Sequence, residues 1–578
     1  MSKVSPEKLA ELLAKARAIV KANTPTEAYP SREIFKVAKG LGEPATIDIL
    51  SKHAGIQSLS KDGKSTITLN ERQGLAVDMG ATGKSFIVLG AAGTGKTTCE
   101  REIINRLIST GAAGKYVNDG HKYLTMDTPG IVCCAYTRRA VMNMKQVMPE
   151  EMKANTLTIH KLLEYQPVYY EVFDETTQKM KNTMRFEATR NSHKPLSSTI
   201  KTVILDEPSM VSVELFKELE NALPHKPQYI FLGDIQQLPP VFGSAILGYK
   251  MLELPTIELT EVYRQALESP IIRLAHRILS GREIPAKEFQ DFYSEGKLKL
   301  HPWRKKLHAD AALMTAAKFF TTAIQAGQYN PLEDMILIPF NKSFGTDELN
   351  KFIAQFISTQ RKSVVYEVIA GFRKHYLAVG DKVLYDKEDA EIVSISMNGS
   401  YAGVKYQEPS TLLDRWGHYR KPEEGEHVIS PLEAGEKDLD DIDSLLDIMS
   451  SNTGEDRTTE GSHVITLRMY HSDEEVSISS ASEINSLLLG YVLTVHKSQG
   501  SEWRKVFLVL HQSHNTMLQR ELLYTACTRP REELYIICEP DSFEKGILSQ
   551  RIKGNTLAEK AEYFKGRLEQ KQKPLFEK

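Results

Sequence analysis

Eight residues, Gly90-Ala91-Ala92-Gly93-Thr94-Gly95-Lys96-Thr97, carry the spacing G-x-x-x-x-G-K-T. Glycines in this pattern let successive backbone N–H groups turn toward phosphate oxygens, and a helix opening at Lys96 adds the positive end of its dipole. Lys96 is placed to reach the β- and γ-phosphates and the Thr97 hydroxyl to ligate Mg²⁺, and Thr98 completes the candidate set. The strand-like run Ser85-Phe86-Ile87-Val88-Leu89 precedes the loop and a helix-like run follows it, so a nucleotide site is expected. Gly80-Ala81-Thr82-Gly83-Lys84-Ser85 is a near copy that lacks the full spacing and runs into a strand; it reads as a turn.

A second candidate lies where Thr202-Val203-Ile204-Leu205 runs straight into Asp206-Glu207, placing two acids at the C-terminal edge of a parallel strand, where α/β sheets bind ligands. Asp206 would hold Mg²⁺ through its water shell, and Glu207 would polarise an attacking water. A strand ending in Asp-Glu is weak evidence alone and strong evidence beside a phosphate loop.

These residues need a scaffold, and the apolar patterning predicts one. From about residue 66 to 260, short β-rich runs (SFIVLG, GIVCCAYT, TVILDE, YIFLGD) alternate with helical ones, the pattern of a parallel sheet with crossover helices. A second series begins near MILIPF and resumes at VFLVLH and ELYIICE. Between its halves, residues 375–485 alternate in the manner of a small inserted β-barrel, itself interrupted by the acidic segment 432–461. Residues 1–60 read as a helical unit, with Ser5 and Pro6 opening a helix of apolar spacing.

The strand after Asp206-Glu207 ends in Gly233-Asp234-Ile235-Gln236-Gln237-Leu238-Pro239-Pro240-Val241. In this order, the phosphate loop, Asp206-Glu207-Pro208-Ser209-Met210 and this run resemble superfamily 1 DNA helicases, specifically the RecD-like and Dda-like branch. Leu69-Asn70-Glu71-Arg72-Gln73 resembles that family's adenine-reading motif. Ala135-Tyr136-Thr137-Arg138-Arg139-Ala140 resembles motif Ia, and Thr156 to Leu163 the strand-contacting motif after it. Val262-Tyr263-Arg264-Gln265 resembles motif IV, Thr494 to Glu502 motif V, and Tyr524-Thr525-Ala526-Cys527-Thr528-Arg529 motif VI. The likeness spans roughly residues 66–540.

The resemblance implies an α/β chain with two RecA-like parallel-sheet motor domains, at 66–260 and at 261–374 with 486–545. It also implies an SH3-like barrel at 375–485, with the N-terminal appendage at 1–60 and a charged helix or tail at 546–578 outside the motor. The implied activity is ATP- and Mg²⁺-dependent movement 5′ to 3′ on single-stranded DNA, with unwinding of forks, in replication, repair or recombination. Implied nucleotide contacts are Gln73 to the base edge, Gly90, Gly93, Thr94 and Gly95 around the phosphates, and Gly500 and Glu502 on the ribose side. Gln237 would sense the γ-phosphate, and Arg264 and Arg529 would act as arginine fingers when the domains close.

Strand contacts fall to Thr137, Thr158, His160, Thr494 and His496, through phosphates and so without sequence preference. Tyr136 stands where the family usually has proline; it either stacks on a base or packs in the core. Residues 167–190 form two strand-like runs around a polar turn. In the family this place holds a wedge, with Phe173 and Phe186 as its aromatic candidates; spacing alone favours a surface hairpin with no such role.

Composition is permissive. The net charge is −2, but residues 432–461 hold ten acids and two bases, leaving about +6 on the other 548 residues. A basic face for phosphates is therefore available. The five cysteines have no metal-ligand spacing and sit in apolar runs, so neither zinc nor a disulfide framework is expected. With no long apolar segment, the chain reads as cytoplasmic, soluble and monomeric, with protein partners, if any, meeting residues 1–60 or the acidic segment. Two other functions fit the same motifs: a translocase that does not unwind, and a nucleotide-switched DNA-binding protein that recruits a partner.

Overall fold

The computed structural model describes residues 69–572, apart from 399–459 and short breaks at 118–119, 175–178, 241–243, 263–267, 286–287, 289–295, 303–305, 343, 371–372, 386–387, 471–473 and 540. It also describes the paired strands Ser58–Leu59 and Ser65–Thr66. Most of the expected helical unit at 1–60, the acidic segment up to residue 459 and Arg264 lie outside the described residues.

The chain enters through α1 (Glu71–Gly80), β1 (Phe86–Gly90) and α2 (Lys96–Ser109), followed by β2 (Ile131–Ala135), α3 (Arg138–Val147), β3 (Thr156–Thr158) and α4 (Ile159–Leu162). A hairpin, β4 (Tyr165–Asp174) and β5 (Lys179–Ala188), then leaves the sheet before β6 (Thr202–Asp206), α5 (Val213–Ala222), β7 (Gln228–Gly233), α6 (Ile246–Lys250) and β8 (Thr256–Leu259). Six of these strands form one parallel sheet in the order β8-β1-β7-β6-β2-β3. β1, β2 and β7 are buried along their whole length, which explains their unbroken apolar runs. The order puts the ends of β1, β7 and β6 side by side, so the phosphate loop, Asp234 and Asp206 share one sheet edge.

The second motor unit comprises α7 (Pro270–Leu279), β9 (Leu298–Pro302), α8 (Ala309–Gln325), β10 (Met335–Ile338) and α9 (Thr346–Arg361). After an insert it resumes with β18 (Val492–Thr494), β19 (Trp503–Leu510), α11 (Arg520–Cys527), β20 (Pro530–Cys538) and α12 (Ser542–Leu548). Its parallel sheet runs β9-β20-β19-β10-β18.

The insert contains a hairpin, β11 (Val365–Ala370) with β12 (Arg373–Ala378). It also contains β13 (Lys382–Tyr385), β14 (Glu388–Met397), β15 (Glu460–Met469), β16 (Glu475–Ser480), α10 (Ala481–Asn485) and β17 (Leu488–Leu489). The last five strands make an antiparallel sheet in the order β16-β15-β14-β13-β17. Val368, Leu377, Ile392, Ile465 and Ile478 place hairpin and sheet around one core. The antiparallel elements thus begin at Val365, ten residues before the expected boundary, because β11 buries its apolar face against the sheet and not in the motor.

A final helix, α13 (Leu557–Gln572), returns to the first motor unit, where Phe564 and Ile552 join the core beside α6. All five cysteines are buried and free. Among the described residues no helix is long and apolar enough to cross a membrane.

Candidate active site and nucleic-acid interface

Gly93 and Gly95 take φ of 80° and 79°, the left-handed region that glycine enters without a Cβ penalty, and they fold the loop back over the end of β1. A Cβ on Gly90 would collide with the Thr94 hydroxyl, so the cradle admits no side chain there. Lys96 opens α2 and its ammonium donates to the Gly90 carbonyl at 2.6 Å, folded across the mouth of the loop. Thr97, the next residue, is exposed and Thr98 half-buried. Gln73 and Asn70 form a reciprocal cap at the start of α1. Gln73 is fully buried, and its amide donates to the Thr94 carbonyl at 3.2 Å while accepting from the Asn70 N–H at 3.1 Å, bracing the loop from beneath.

Acids concentrate on the adjoining strand end. Burial and the neighbouring Glu207 push the Asp206 carboxyl up to about 7, against the pull of Lys96. Glu100, buried on α2, is raised well above the usual carboxylate range by burial and by the charges of Asp206 and Glu207. Glu207 adopts φ 49°, a left-handed conformation that is strained for a non-glycine residue and turns the chain sharply after β6. Gln237 donates to Glu207 Oε1 at 3.4 Å, whereas Glu207 Oε2 and Glu100 Oε1 have no hydrogen-bond partner among the described residues. Hard, under-satisfied carboxylate oxygens facing one lysine suit a divalent cation such as Mg²⁺. Among the described residues no three His, Cys, Asp or Glu side chains converge on a metal position.

The second sheet reaches this site. The Tyr524 hydroxyl, on α11, donates to Asp234 Oδ2 at 2.6 Å and accepts from the Ala92 N–H of the phosphate loop at 2.8 Å. His276 meets the Ala92 carbonyl at 3.0 Å, Thr525 accepts from the Leu238 N–H at 3.1 Å, and Gln499 donates to the Leu238 carbonyl at 2.8 Å. Arg529 is buried nearby, its guanidinium donating to the carbonyls of Thr525 and Ser501 and to the Thr528 hydroxyl.

Motif V packs on motif Ia. A Cβ on Gly500, φ 74°, would lie 2.8 Å from the Thr137 hydroxyl oxygen, and Asn143 donates to the Gly500 carbonyl at 3.0 Å. Glu502, expected on the ribose side, pairs with Arg531 at 3.4 Å on the surface. Arg139 is buried in an ion pair with Asp389 of the insert, lies 4.7 Å from the Trp503 ring centroid and donates to the Ser501 hydroxyl at 2.8 Å.

On the first unit, Thr137 and Thr158 cap α3 and α4, each hydroxyl accepting a backbone N–H. The His160 ring sits edge-on between Tyr136 at 5.4 Å and Tyr165 at 5.0 Å, a column that ends at the base of the β4–β5 hairpin. Tyr136 also packs against the core of this unit. Thr494 and His496 are buried; burial, with Arg551 nearby, pushes the His496 imidazole down to about 4 and keeps it neutral. In the hairpin, Phe173 lies across from Met180 and Phe186 across from Pro167, with Phe186 half-buried.

Tyr524, Arg139, Glu100 and His276 are the site residues that motif reasoning did not assign. The first two lie inside the quoted motifs VI and Ia, so the signal was present without a role attached. Glu100 and His276 have no local signal at all.

Residues 73–243 match the family model described as an AAA domain, and residues 489–537 match the UvrD-like helicase C-terminal domain. The chain is 26% identical over 489 residues to the ATP-dependent RecD2 DNA helicase of Deinococcus radiodurans, covering 84% of this chain and 52% of that protein. It thus spans about half the length of that relative. It is 23% identical to the RecBCD enzyme subunit RecD of Buchnera aphidicola, over 83% of this chain and 74% of the relative. Over 200 residues it is 30% identical to the ATP-dependent DNA helicase dda of enterobacteria phage T4, covering 33% of this chain and 37% of that protein.

Proposed function

We propose that the chain is a superfamily 1 helicase of the RecD-like and Dda-like branch, an ATP- and Mg²⁺-dependent DNA helicase moving 5′ to 3′ along single-stranded DNA. The observation that carries the proposal is the Tyr524 hydroxyl, which touches the phosphate loop and Asp234 at once and so ties the second unit to the candidate nucleotide site of the first.

In this reading Lys96 neutralises the phosphates, Thr97 and Asp206 would hold Mg²⁺, Glu207 takes the proton of the attacking water, and Gln237 holds Glu207 and reports the γ-phosphate. Bound Mg²⁺ would supply charge stabilisation at the β- and γ-phosphates. Arg529 and Arg264 supply further cations; Arg529 reaches the phosphate by giving up carbonyl partners that it now holds. Closure that delivers these arginines also presses motif V on motif Ia at the Gly500–Thr137 contact, so hydrolysis is coupled to a change in the strand-binding face. The β4–β5 hairpin is the wedge, and the inserted sheet closes as a small barrel. Single-stranded and forked DNA are the partners.

The test is unwinding of duplexes carrying a 5′ or a 3′ tail, alongside ATP hydrolysis with and without single strands. Hydrolysis stimulated by single strands and unwinding from 5′ tails are expected. Unwinding from 3′ tails alone would refute the polarity, and hydrolysis indifferent to DNA would refute the motor.

A further inference from the structure

The loop between α2 and β2 is built more firmly than a connector requires. His121 is buried; its Nδ1 accepts from the N–H groups of Tyr123 and Leu124, both at 3.1 Å, and its Nε2 meets the Leu162 carbonyl at 2.9 Å. Leu124 is a buried peg, and Asn155 accepts from the Thr125 N–H at 2.9 Å. The Lys122 N–H donates to Glu164 at 2.8 Å. Glu164 directly precedes β4 and is gripped by Arg190, two residues beyond β5, at 2.9 and 3.2 Å, both side chains being buried. One buried ion pair therefore closes the foot of the hairpin and fixes this loop beside it.

The framework presents exposed groups of a particular kind. Tyr123 is 48% exposed, and Met126 and Val117 are 56% and 59% exposed. The Lys161 ammonium lies 5.4 Å from the centre of the Tyr123 ring, and Lys122 and Lys194 are exposed nearby. Lys161 directly follows His160, the histidine in the aromatic column that reaches the hairpin base. An exposed aromatic ring flanked by lysines on a rigid support is how single-stranded nucleic acid is held without sequence preference, bases stacking on rings and phosphates meeting cations.

We propose that Tyr123, with Lys122 and Lys161, is a further single-strand contact at the foot of the hairpin: one base stacks on the Tyr123 ring, and the adjoining phosphates meet the two lysines. The inference rests on the helicase reading and adds Tyr123 and Lys122, which lie outside the motifs that carry it, to Lys161 of the strand-contacting motif. The contact fixes the strand beside the wedge, so that a step of the motor is felt at the fork and not taken up as slack.

The experiment uses the full chain, a fluorescent oligothymidylate for affinity, and the same oligonucleotide carrying 5-iodouracil for photo-crosslinking, with folding followed by thermal melting. Tyr123→Ala is expected to weaken binding about fivefold or more, the size of one lost base–aromatic stack, and Tyr123→Trp to hold it within about twofold. Lys161→Ala should flatten the salt dependence by about one counterion. The crosslink should map to Tyr123. If Tyr123→Ala and Lys161→Ala bind like the parent and no crosslink falls in this loop, the subsite is refuted while the motor stands, because the parent still binds the strand. A parent chain that does not bind the oligonucleotide overturns the helicase reading and this inference with it.

Discussion

Replacing Tyr524 by Phe isolates the contact between the motor units. The ring is fully buried in the core of the second unit, so Phe keeps its volume and packing and only the hydroxyl is lost. That hydroxyl makes a 2.6 Å bond to a carboxylate and receives the Ala92 N–H of the phosphate loop. Hydrogen bonds to charged groups contribute about 1.5–3 kcal/mol. Asp234 keeps the Gln236 N–H at 2.9 Å, so the lower half of that range is the better expectation. The bond joins the two units in the arrangement seen here, so its loss disfavours that arrangement by the same energy, and if turnover passes through it, DNA-stimulated kcat/KM for ATP should fall about tenfold. Steady-state hydrolysis at saturating oligonucleotide measures it. A double-mutant cycle with Asp234→Asn should give strong non-additivity, because both variants cut the same bond. Turnover within threefold of the parent, or strictly additive losses, would refute the assignment of Tyr524 as the link.

Lys96→Ala should abolish hydrolysis with the fold intact, since Lys96 lies on a loop mouth and not in a core; Glu207→Gln should bind ATP and DNA yet turn over at least about tenfold more slowly, as general-base groups contribute about 10²–10⁴-fold. Steady-state assays of the purified variants check both. Asp206 gives a pH prediction with a definite sign: its carboxyl is raised to about 7 in the folded chain, so the folded state binds the proton more tightly and stability falls as pH rises from about 4 through 7. Asp206→Asn should therefore melt higher than the parent at pH 8 in metal-free buffer, by a few degrees, with the gap closing toward pH 4, while hydrolysis is lost; equal melting at pH 8 would refute the placement of the acid. Shortening the hairpin between Thr176 and Asn182 should spare DNA-stimulated hydrolysis but sharply slow fork unwinding, because each base-pair step to be parted costs about 1.4 kcal/mol in stacking and needs a rigid obstacle.

Legibility followed the range of the interaction. The phosphate loop could be read because its chemistry is local: glycines at fixed offsets take positive φ, and a strand and a helix flank them. The parallel strands could be read because burial on both faces leaves continuous apolar runs. What could not be read is which side chains meet across hundreds of residues. Arg139 pairs with Asp389, and Ala92 meets Tyr524, without any trace in local spacing. Gln73 was legible as a residue of its motif but not in its present bonding, since a buried amide is satisfied by whatever backbone lies nearest, here Thr94.

The C-terminal segment shows how such long-range pairing bears on a motor. Glu521, at the start of the same helix as Tyr524, accepts the N–H groups of Arg551 and Ile552, and Arg520 beside it donates to Asn555 and to the Ile547 carbonyl. Phe543 and Ile547 pack into the second core, Ile552, five residues after Ile547, belongs to the first, and Phe564 fills the space that a Cβ on Gly248 would need. The chain thus crosses between the motor units beside motif VI, anchored by charged groups at one end and by an aromatic ring at the other. Burying a phenylalanine contributes about 1.5–3 kcal/mol, comparable with the Tyr524 hydrogen bond, so this crossing weighs on the relative position of the units as heavily as the contact at the nucleotide. A sequence of charged and apolar residues at 546–578 discloses a helix; that it ties the two units together follows only once Gly248 and Phe564 are seen in one core.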